Sequence, residues 1–374
     1  MAKIKILHII KSLGRGGAEV LLPETLGIHD TNKFEFHYLY FLPWKDQMVS
    51  AIEANGGVVS CMGAKNNLQI LAKLNEVVDY CGTHGIALIH SHLPWSGFLA
   101  RSVHFKTKIP VVYTEHNIQD RYHFATRTLN KFTFNYQSLA LGVSRDVTES
   151  IMENIGPHIP VQTLLNGVNT SRFIKDKGLA RDIRNKHGIP RGAVVVGNIA
   201  VFRKQKNLGL WIRSFQKIAK EHDHVFGMLV GAGPEEEVLQ ELVRELGLKE
   251  RLVFPGLQTD TIPYFSAMDI FMMSSDFEGL PIALLEAMSM ECAIVSTNAG
   301  GVKEVVRHKK DGLICGTGDM ECLVRSVDFL IEDEETRMRL QTAARERIDR
   351  EFSLSTMVNQ LESCYLKIVD NKIM

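Results

Sequence analysis

Residues 274–293 read SSDFEGLPIALLEAMSMECA. A polar loop ends in Asp276-Phe277-Glu278-Gly279, a proline follows at Pro281, and an apolar run continues through Ile282, Leu284, Leu285, Ala287 and Met288. Proline is tolerated in a first helical turn, where its missing N–H has no partner to lose. The stretch therefore reads as a loop followed by a helix that starts near Leu280. N–H groups at a helix start lack intrahelical acceptors, and the helix dipole favours an anion in front of them. Glu278 lies just ahead of the helix, and Glu286 sits about five residues inside it, roughly 7.5 Å along the axis. A solvated glutamate on an ordinary amphipathic helix is the plain reading of Glu286. Against it, the run is apolar nearly all round, as in a buried helix. A buried acid needs hydrogen-bond donors, and the hydroxyls of a ligand supply them. An anionic, hydroxyl-rich ligand such as a nucleotide sugar fits this pattern.

Upstream of that stretch, 193–200 reads as a strand. It is followed by Val201-Phe202-Arg203-Lys204-Gln205-Lys206-Asn207 and a helical run over 208–219. Basic side chains directly after a strand suit a phosphate, with a surface charge cluster as the alternative. A strand over 226–230 ends in Gly231-Ala232-Gly233-Pro234, small residues that let backbone and ligand approach closely. Strands over 252–256, 269–273 and 293–296 follow, then a glycine turn and short helix over 298–304.

The first half shows the same alternation. A strand over 4–10 leads into Gly14-Arg15-Gly16-Gly17-Ala18-Glu19 and a helix over 20–26, the opening of a Rossmann-like half. A dinucleotide fingerprint would need glycine where Glu19 stands, so a nicotinamide site is disfavoured. A tight turn with no ligand is the other reading of these glycines. Further strands read over 36–42, 58–61, 87–90, 110–113, 139–144 and 161–165, with helices over 48–55 and over 68–81, the latter stopping at Gly82. Such alternation gives parallel sheets covered by helices, with ligands beyond the carboxyl ends of strands. His92 and His116 each follow a strand, and a structural, hydrogen-bonded role is open for both. Residues 121–136, RYHFATRTLNKFTFNY, hold basic and aromatic residues without an acid. They suit an anionic membrane surface, or equally a packed helix with a basic face. Charged, glycine-containing residues 178–190 read as a linker, and a final amphipathic helix covers 356–369.

At 374 residues the chain suits two domains. Its formal net charge of +0 gives no electrostatic support for a nucleic-acid partner. Six cysteines without C-x-x-C spacing read as reduced thiols rather than a zinc ribbon. There is no DxD string and no cluster of His and Asp in sequence to hold a metal, so no metal and no cofactor is expected. The N-terminus does not read as a signal peptide. No apolar run approaches a membrane span. The expected location is cytoplasmic, with peripheral contact at the inner face of the cell membrane through 121–136 left open.

The string Glu278, Gly279, Leu280, Pro281 and Glu286 resembles the Glu-x7-Glu motif of retaining glycosyltransferases of family 4. The resemblance runs through most of the chain: a GGAE string at Gly16-Gly17, VYTEHN around His116, NGVN at 166–169, a VGxGP loop at Gly233, and Arg203 with Lys206. Two positions depart from the commoner pattern. Asn169 stands where Asp is more usual, and Val201 stands where much of the family has an Arg five residues before the Lys. Arg203 matches the variant with Arg three before it. The resemblance implies an α/β fold of the GT-B type, two Rossmann-like domains facing across a cleft, with the last helix returning to the first domain. The expected divisions are 1–175 for the acceptor, 176–353 for the nucleotide sugar, and 354–374 for the returning helix.

It also implies roles. Glu286 holds the ribose hydroxyls, and Glu278 binds hydroxyls of the sugar. Arg203, Lys206 and the N–H groups of Gly279 and Leu280 stabilise the leaving diphosphate. His116 contacts the transferred sugar, while Gly16, Gly17, Gly233 and Pro281 shape the donor site. The donor is a UDP- or GDP-sugar, used as a co-substrate. The acceptor is a glycan, a lipid-linked sugar or a small molecule, in cell-surface polysaccharide or glycolipid synthesis. An epimerase, a non-catalytic nucleotide-sugar-binding protein and an inverting enzyme are the remaining readings of the same pattern.

Overall fold

Short, β-branched apolar runs bounded by glycine, proline and polar turns fold as parallel strands, because helices on both faces bury them completely. The computed structural model describes residues 3–14 and 16–373, the last three by backbone alone. Met1, Ala2, Arg15 and Met374, which the readings of the first domain, the glycine loop and the last domain include, lie outside them. Among the described residues the first seven strands are β1 Ile4–Ile9, β2 Phe34–Tyr40, β3 Val58–Cys61, β4 Leu88–His92, β5 Val111–Glu115, β6 Leu139–Gly142 and β7 Val161–Thr163. They form one parallel sheet in the order β3-β2-β1-β4-β5-β6-β7. The next six are β8 Val194–Ile199, β9 Val225–Val230, β10 Leu252–Gly256, β11 Ile270–Met273, β12 Ala293–Thr297 and β13 Leu313–Cys315. They form a second parallel sheet in the order β10-β9-β8-β11-β12-β13.

Both sheets are doubly wound. The strand order reverses between β1 and β4 in one and between β8 and β11 in the other. Loops leaving the carboxyl ends of those strands diverge, which opens a crevice at each switch point. Alternate residues of β1 serve opposite faces of the first sheet. Ile6 packs with Phe34, Phe36, Leu361 and Tyr365, while Leu7 and Ile9 pack with Leu39, Val77, Leu99 and Val111. Leu361 and Tyr365 come from the helix Leu354–Ile373, so the returning helix completes the first core.

The chain divides into two units. One runs to Asn166 and takes the chain back from Leu354; the other is Gly167–Ser353. That division falls ahead of the expected 175/176 boundary, for a local reason. Val168 donates its N–H to Phe352 O at 2.9 Å, Phe173 is buried against Phe265, and Lys175 Nζ donates to Met268 O at 3.2 Å. These contacts stitch 167–175 into the second unit.

Three sequence readings are corrected. Residues 178–190 are not a plain linker: Lys177–Lys186 is a helix whose cap, Asp176, accepts from the N–H of Gly178 and Leu179 at 2.7 and 2.8 Å. Arg184 anchors it to Ala267 O and Asp269. Gly82 does not end its helix. Asn67–Ala72 and Leu74–His84 are separate helices, and the stop is Gly85, whose φ of 65° places it in the left-handed region open to glycine. Cys315 and Cys322 are not both reduced thiols. The turn from β13 into the helix Met320–Glu332 brings their Cα atoms to 5.6 Å and the two form a disulfide.

Candidate active site

The second switch point is built by the loops that follow β8 and β11. Asn198, buried near the end of β8, donates its side-chain N–H to Met272 O at 2.9 Å, and Trp211 Nε1 donates to the same oxygen at 2.8 Å. This fixes the ends of both strands. The β8 loop then closes in a short turn, Lys204–Lys206, and reverses at Asn207, whose φ of 46° is left-handed. Asn207 caps the helix Leu208–Glu221 and donates to Asp276 Oδ1 at 2.8 Å. Ser274 Oγ lies 3.1 and 3.0 Å from the carbonyls of Lys206 and Asn207, and Asp276 N donates to Gln205 O at 2.9 Å.

Between these two tied loops, Lys206 Nζ donates to Glu278 Oε1 at 2.6 Å, and Ser275 Oγ donates to the same oxygen at 2.6 Å. Glu278 is 6% exposed. A third loop backs it. Gly300 has φ 57°, and a Cβ there would lie 1.9 Å from Glu278 O, so only glycine allows this approach. Thr297 Oγ1 donates to Ser275 O at 2.7 Å, and Gly301 N donates to Gly279 O at 3.0 Å.

The helix behind this pair is Ile282–Ser289, two residues later than the sequence suggests. Pro281 is its cap, with an extended ψ of 116°, and Leu280 precedes a proline, a position biased away from helical ψ. Pro281 O accepts from Leu284 N and Leu285 N. The amides of Ile282 and Ala283, rather than those of Gly279 and Leu280, therefore stand at the head of the helix. Glu286 lies one turn in and is buried, among Leu284, Leu285, Ala287 and Met288.

Two expected residues stand apart from that arrangement. Arg203 is exposed and lines a groove of about 480 Å³ with Lys204, Arg213 and Glu235, whereas Lys206 turns to Glu278. Gly233 meets protein backbone: a Cβ would lie 2.5 Å from Phe202 O. Its neighbour Gly231 has φ 137°, and a Cβ there would lie 1.9 Å from Ala200 O. The glycines of this loop thus seat it against the loop after β8, which is a packing reason for the VGAGP string. Ser275, Asn207, Thr297 and Gly300 were not singled out in the sequence. Ser275 lies inside the opening stretch, and the doubled glycine at 300–301 reads in sequence only as a turn.

In the first unit, His116 follows β5 directly and its Nε2 lies 3.4 Å from His92 Nδ1. Burial pushes His116 down to about 4. His92 is the last residue of β4 rather than beyond it. Glu115 does not orient the His116 ring. Its carboxylate accepts from Tyr113 OH at 2.7 Å, Tyr122 OH at 2.5 Å, Gln119 Nε2 at 2.9 Å, and the backbone N–H of His116 and Asn117 at 2.9 and 3.2 Å. Burial raises its pKa against the downward pull of those donors. Glu115→Gln replaces one acceptor oxygen by a donor facing donors. It is expected to destabilise the first unit by roughly 2 kcal/mol or more, read as a lower denaturation midpoint.

Gly16 caps the helix Gly17–Leu26 with φ −95° and ψ 166°, and Ser12 Oγ donates to Glu19 Oε1 at 3.2 Å. Residues 121–136 hold the helix Phe124–Thr133. Its inner side is anchored by the buried Arg101, which donates to Asn130 Oδ1 and Gln137 Oε1 at 2.8 Å and lies 4.8 Å from the Tyr113 ring. Phe124, Phe132 and Tyr136 are 79%, 77% and 52% exposed. Among the described residues no helix is long and apolar enough to cross a membrane. The sequence also lacked a histidine cluster that the fold creates: His8, His90 and His92 meet at the switch point between β1 and β4.

The two units match two families in turn. A model of glycosyltransferase family 4 matches residues 31–172, and a model of group 1 glycosyl transferases matches residues 180–347. The chain belongs to glycosyltransferase family 4. It is a nucleotide-sugar glycosyltransferase. This family 4 chain is 25% identical over 306 residues to N-acetyl-alpha-D-glucosaminyl L-malate synthase of Bacillus anthracis, a match covering 80% of this chain and 79% of that protein. It is 28% identical over 216 residues to GDP-mannose-dependent alpha-(1-6)-phosphatidylinositol monomannoside mannosyltransferase of Mycobacterium tuberculosis, covering 55% of this chain and 56% of that one. The crystal structure of Anabaena HepE in complex with UDP and glucose superposes with a TM-score of 0.88 at 20% identity, covering 97% of this chain and 100% of that chain. The fold of this glycosyltransferase is GT-B, two parallel Rossmann-like sheets with the last helix packed on the first unit.

Proposed function

We propose that the chain is a retaining, metal-independent hexosyltransferase that takes a UDP- or GDP-sugar in its second unit. The observation that carries this is the Lys206–Glu278 pair, held at 2.6 Å between the two switch-point loops and at the head of the helix Ile282–Ser289. A cation and helix-start amides together offer a fixed site for a diphosphate, and fixed charge is what a leaving diphosphate needs as the glycosidic bond breaks. Lys206 and the amides of Ile282 and Ala283 stabilise that charge. Glu286 holds the ribose hydroxyls. Glu278, with one oxygen engaged by Lys206 and Ser275, presents the other to hydroxyls of the sugar. A carboxylate pinned in this way serves as a binding group rather than a nucleophile, which favours retention without a covalent protein intermediate. Arg203 is assigned a smaller part, since its side chain lies in the groove beside Lys204. Gly16 and Gly17 in the first unit shape the approach to the sugar, and His116 contacts it.

The acceptor belongs to the first unit and is a glycan or lipid-linked sugar, used in polysaccharide or glycolipid synthesis at the inner face of the membrane. Exposed Phe124 and Phe132, with Arg127 and Lys131 on the same helix, support a surface contact with anionic lipid. The double variant Phe124→Ser with Phe132→Ser is expected to lower binding to phosphatidylglycerol vesicles by roughly tenfold or more, measured by co-sedimentation. Unchanged binding removes the membrane contact.

A thermal-shift panel of UDP- and GDP-sugars, followed by an acceptor screen, tests the main reading. One donor series should stabilise the chain, and nucleotide should be released only when acceptor is present. Interconversion of the sugar without acceptor would indicate an epimerase, and binding with no transfer to any acceptor would indicate a non-catalytic protein. The anomeric configuration of the product separates retention from inversion. Transfer should persist in the presence of EDTA.

A further inference from the structure

Three imidazoles from adjacent strands converge on one face of the first sheet. His8 on β1 and His90 on β4 are register partners, and His92 follows His90 at the spacing of two that returns to the same face. Ring centroids lie 4.9 Å apart for His8 and His90, 5.3 Å for His8 and His92, and 4.3 Å for His90 and His92. One nitrogen from each ring can be chosen so that all three lie within 4.8 Å of one another. The three residues are 2%, 2% and 6% exposed. His8 Nδ1 lies 3.0 Å from His92 Nε2, while His8 Nε2 is buried with no hydrogen-bond partner. Packing alone does not ask for this. The neighbours of His8 at the spacing of two are the buried Ile6 and Ile10, and a buried nitrogen left without a partner is costly.

The donor set suits a cation. Imidazole binds a transition metal through the lone pair of a ring nitrogen, and the three rings offer one such nitrogen each. Nitrogen ligands about 2.0–2.1 Å from a tetrahedral zinc stand roughly 3.3 Å from one another, within the spread these rings allow. The outer shell is also in place. His90 Nδ1 lies 2.6 Å from Tyr365 OH and Nε2 lies 2.7 Å from Thr114 Oγ1, so whichever nitrogen binds, the other keeps a hydroxyl partner. His92 Nδ1 is held toward His116. No carboxylate lines the cavity these rings share, which disfavours magnesium or calcium.

We propose that His8, His90 and His92 bind one imidazole-preferring divalent transition-metal cation of the Zn²⁺ class, as a structural ion of the first unit. The proposal does not rest on the nucleotide contacts assigned to Lys206, Glu278 and Glu286 in the second unit, and the ion takes no part in transfer.

Tag-free full-length protein, produced with Zn²⁺ and freed of loose metal, should retain about one Zn²⁺ per chain by elemental mass spectrometry. His8→Phe and His92→Phe should fall to background. Phenylalanine keeps a ring where His8 stacks on Tyr38 at 4.9 Å, and circular dichroism checks that each variant is folded. Protein reconstituted with Co²⁺ gives a second reading that needs no variant. Intense visible absorption of a tetrahedral nitrogen site is expected. Weak octahedral absorption, metal at background in the wild type, or equal metal in folded variants and wild type would each overturn the proposal.

Discussion

Lys206→Ala is expected to raise the barrier to sugar transfer by about 2–4 kcal/mol, roughly 30- to 1,000-fold in rate. The size follows from where the charge sits. Lys206 closes the Lys204–Lys206 turn, and its ammonium is fixed against Glu278 at 2.6 Å by loops that are themselves tied by Asn207, Ser274 and Asp276. A cation held before the reaction begins needs no reorganisation when the diphosphate departs, so its loss falls mainly on kcat. The substitution also leaves Glu278 with Ser275 as its remaining partner at that oxygen, which loosens its grip on the sugar. Lys204→Ala, two residues away and facing the groove beside Arg203, serves as the control and should turn over like the wild type. Wild-type kcat in Lys206→Ala would remove the assignment.

Glu286→Ala is expected to weaken binding of the nucleotide sugar by about 1.5–3 kcal/mol, roughly 10- to 150-fold in Kd, the range for hydrogen bonds to a charged group. Stability separates this role from a structural one. Alanine is the best helix former, and the buried neighbours of Glu286 on the helix Ile282–Ser289 are Leu284, Leu285, Ala287 and Met288. For a carboxylate placed for a ligand, the loss of donor affinity should exceed any change in the denaturation midpoint of the free protein. A lower midpoint with donor affinity intact would make Glu286 a structural residue.

Much of the fold could be read from the sequence, because parallel strands buried on both faces must be continuous apolar runs and their connections must be helical. The runs feeding Lys206 and Glu278, over 194–199 and 270–273, are of this kind. Readings failed where tertiary contact overrides local signal. Gly82 looked like a helix stop, yet the chain continues to Gly85, which alone takes the left-handed turn. Residues 178–190 looked like a linker because their charges were visible and their anchors, Ala267 and Asp269, were not. The site divides in the same way. Glu278, Glu286 and Lys206 were legible because a loop before an apolar helix, and a basic turn after a strand, each carry a local chemical meaning. Their pairing was not, since 72 residues separate Lys206 from Glu278 and only the β8–β11 adjacency joins them. Gly233 reads in sequence for ligand approach, and its close packing against the Phe202 backbone was not legible there. The three histidines were invisible as a group, because His8 and His92 stand 84 residues apart and meet through strand register.

The most direct test is a crystal structure of the chain grown with UDP or GDP. The account predicts the diphosphate within hydrogen-bond distance of Lys206 Nζ and of the amides at the head of Ile282–Ser289, with the ribose hydroxyls on the Glu286 carboxylate. A nucleotide bound elsewhere in the second unit, with Lys206 still paired to Glu278 and Glu286 untouched, would contradict it.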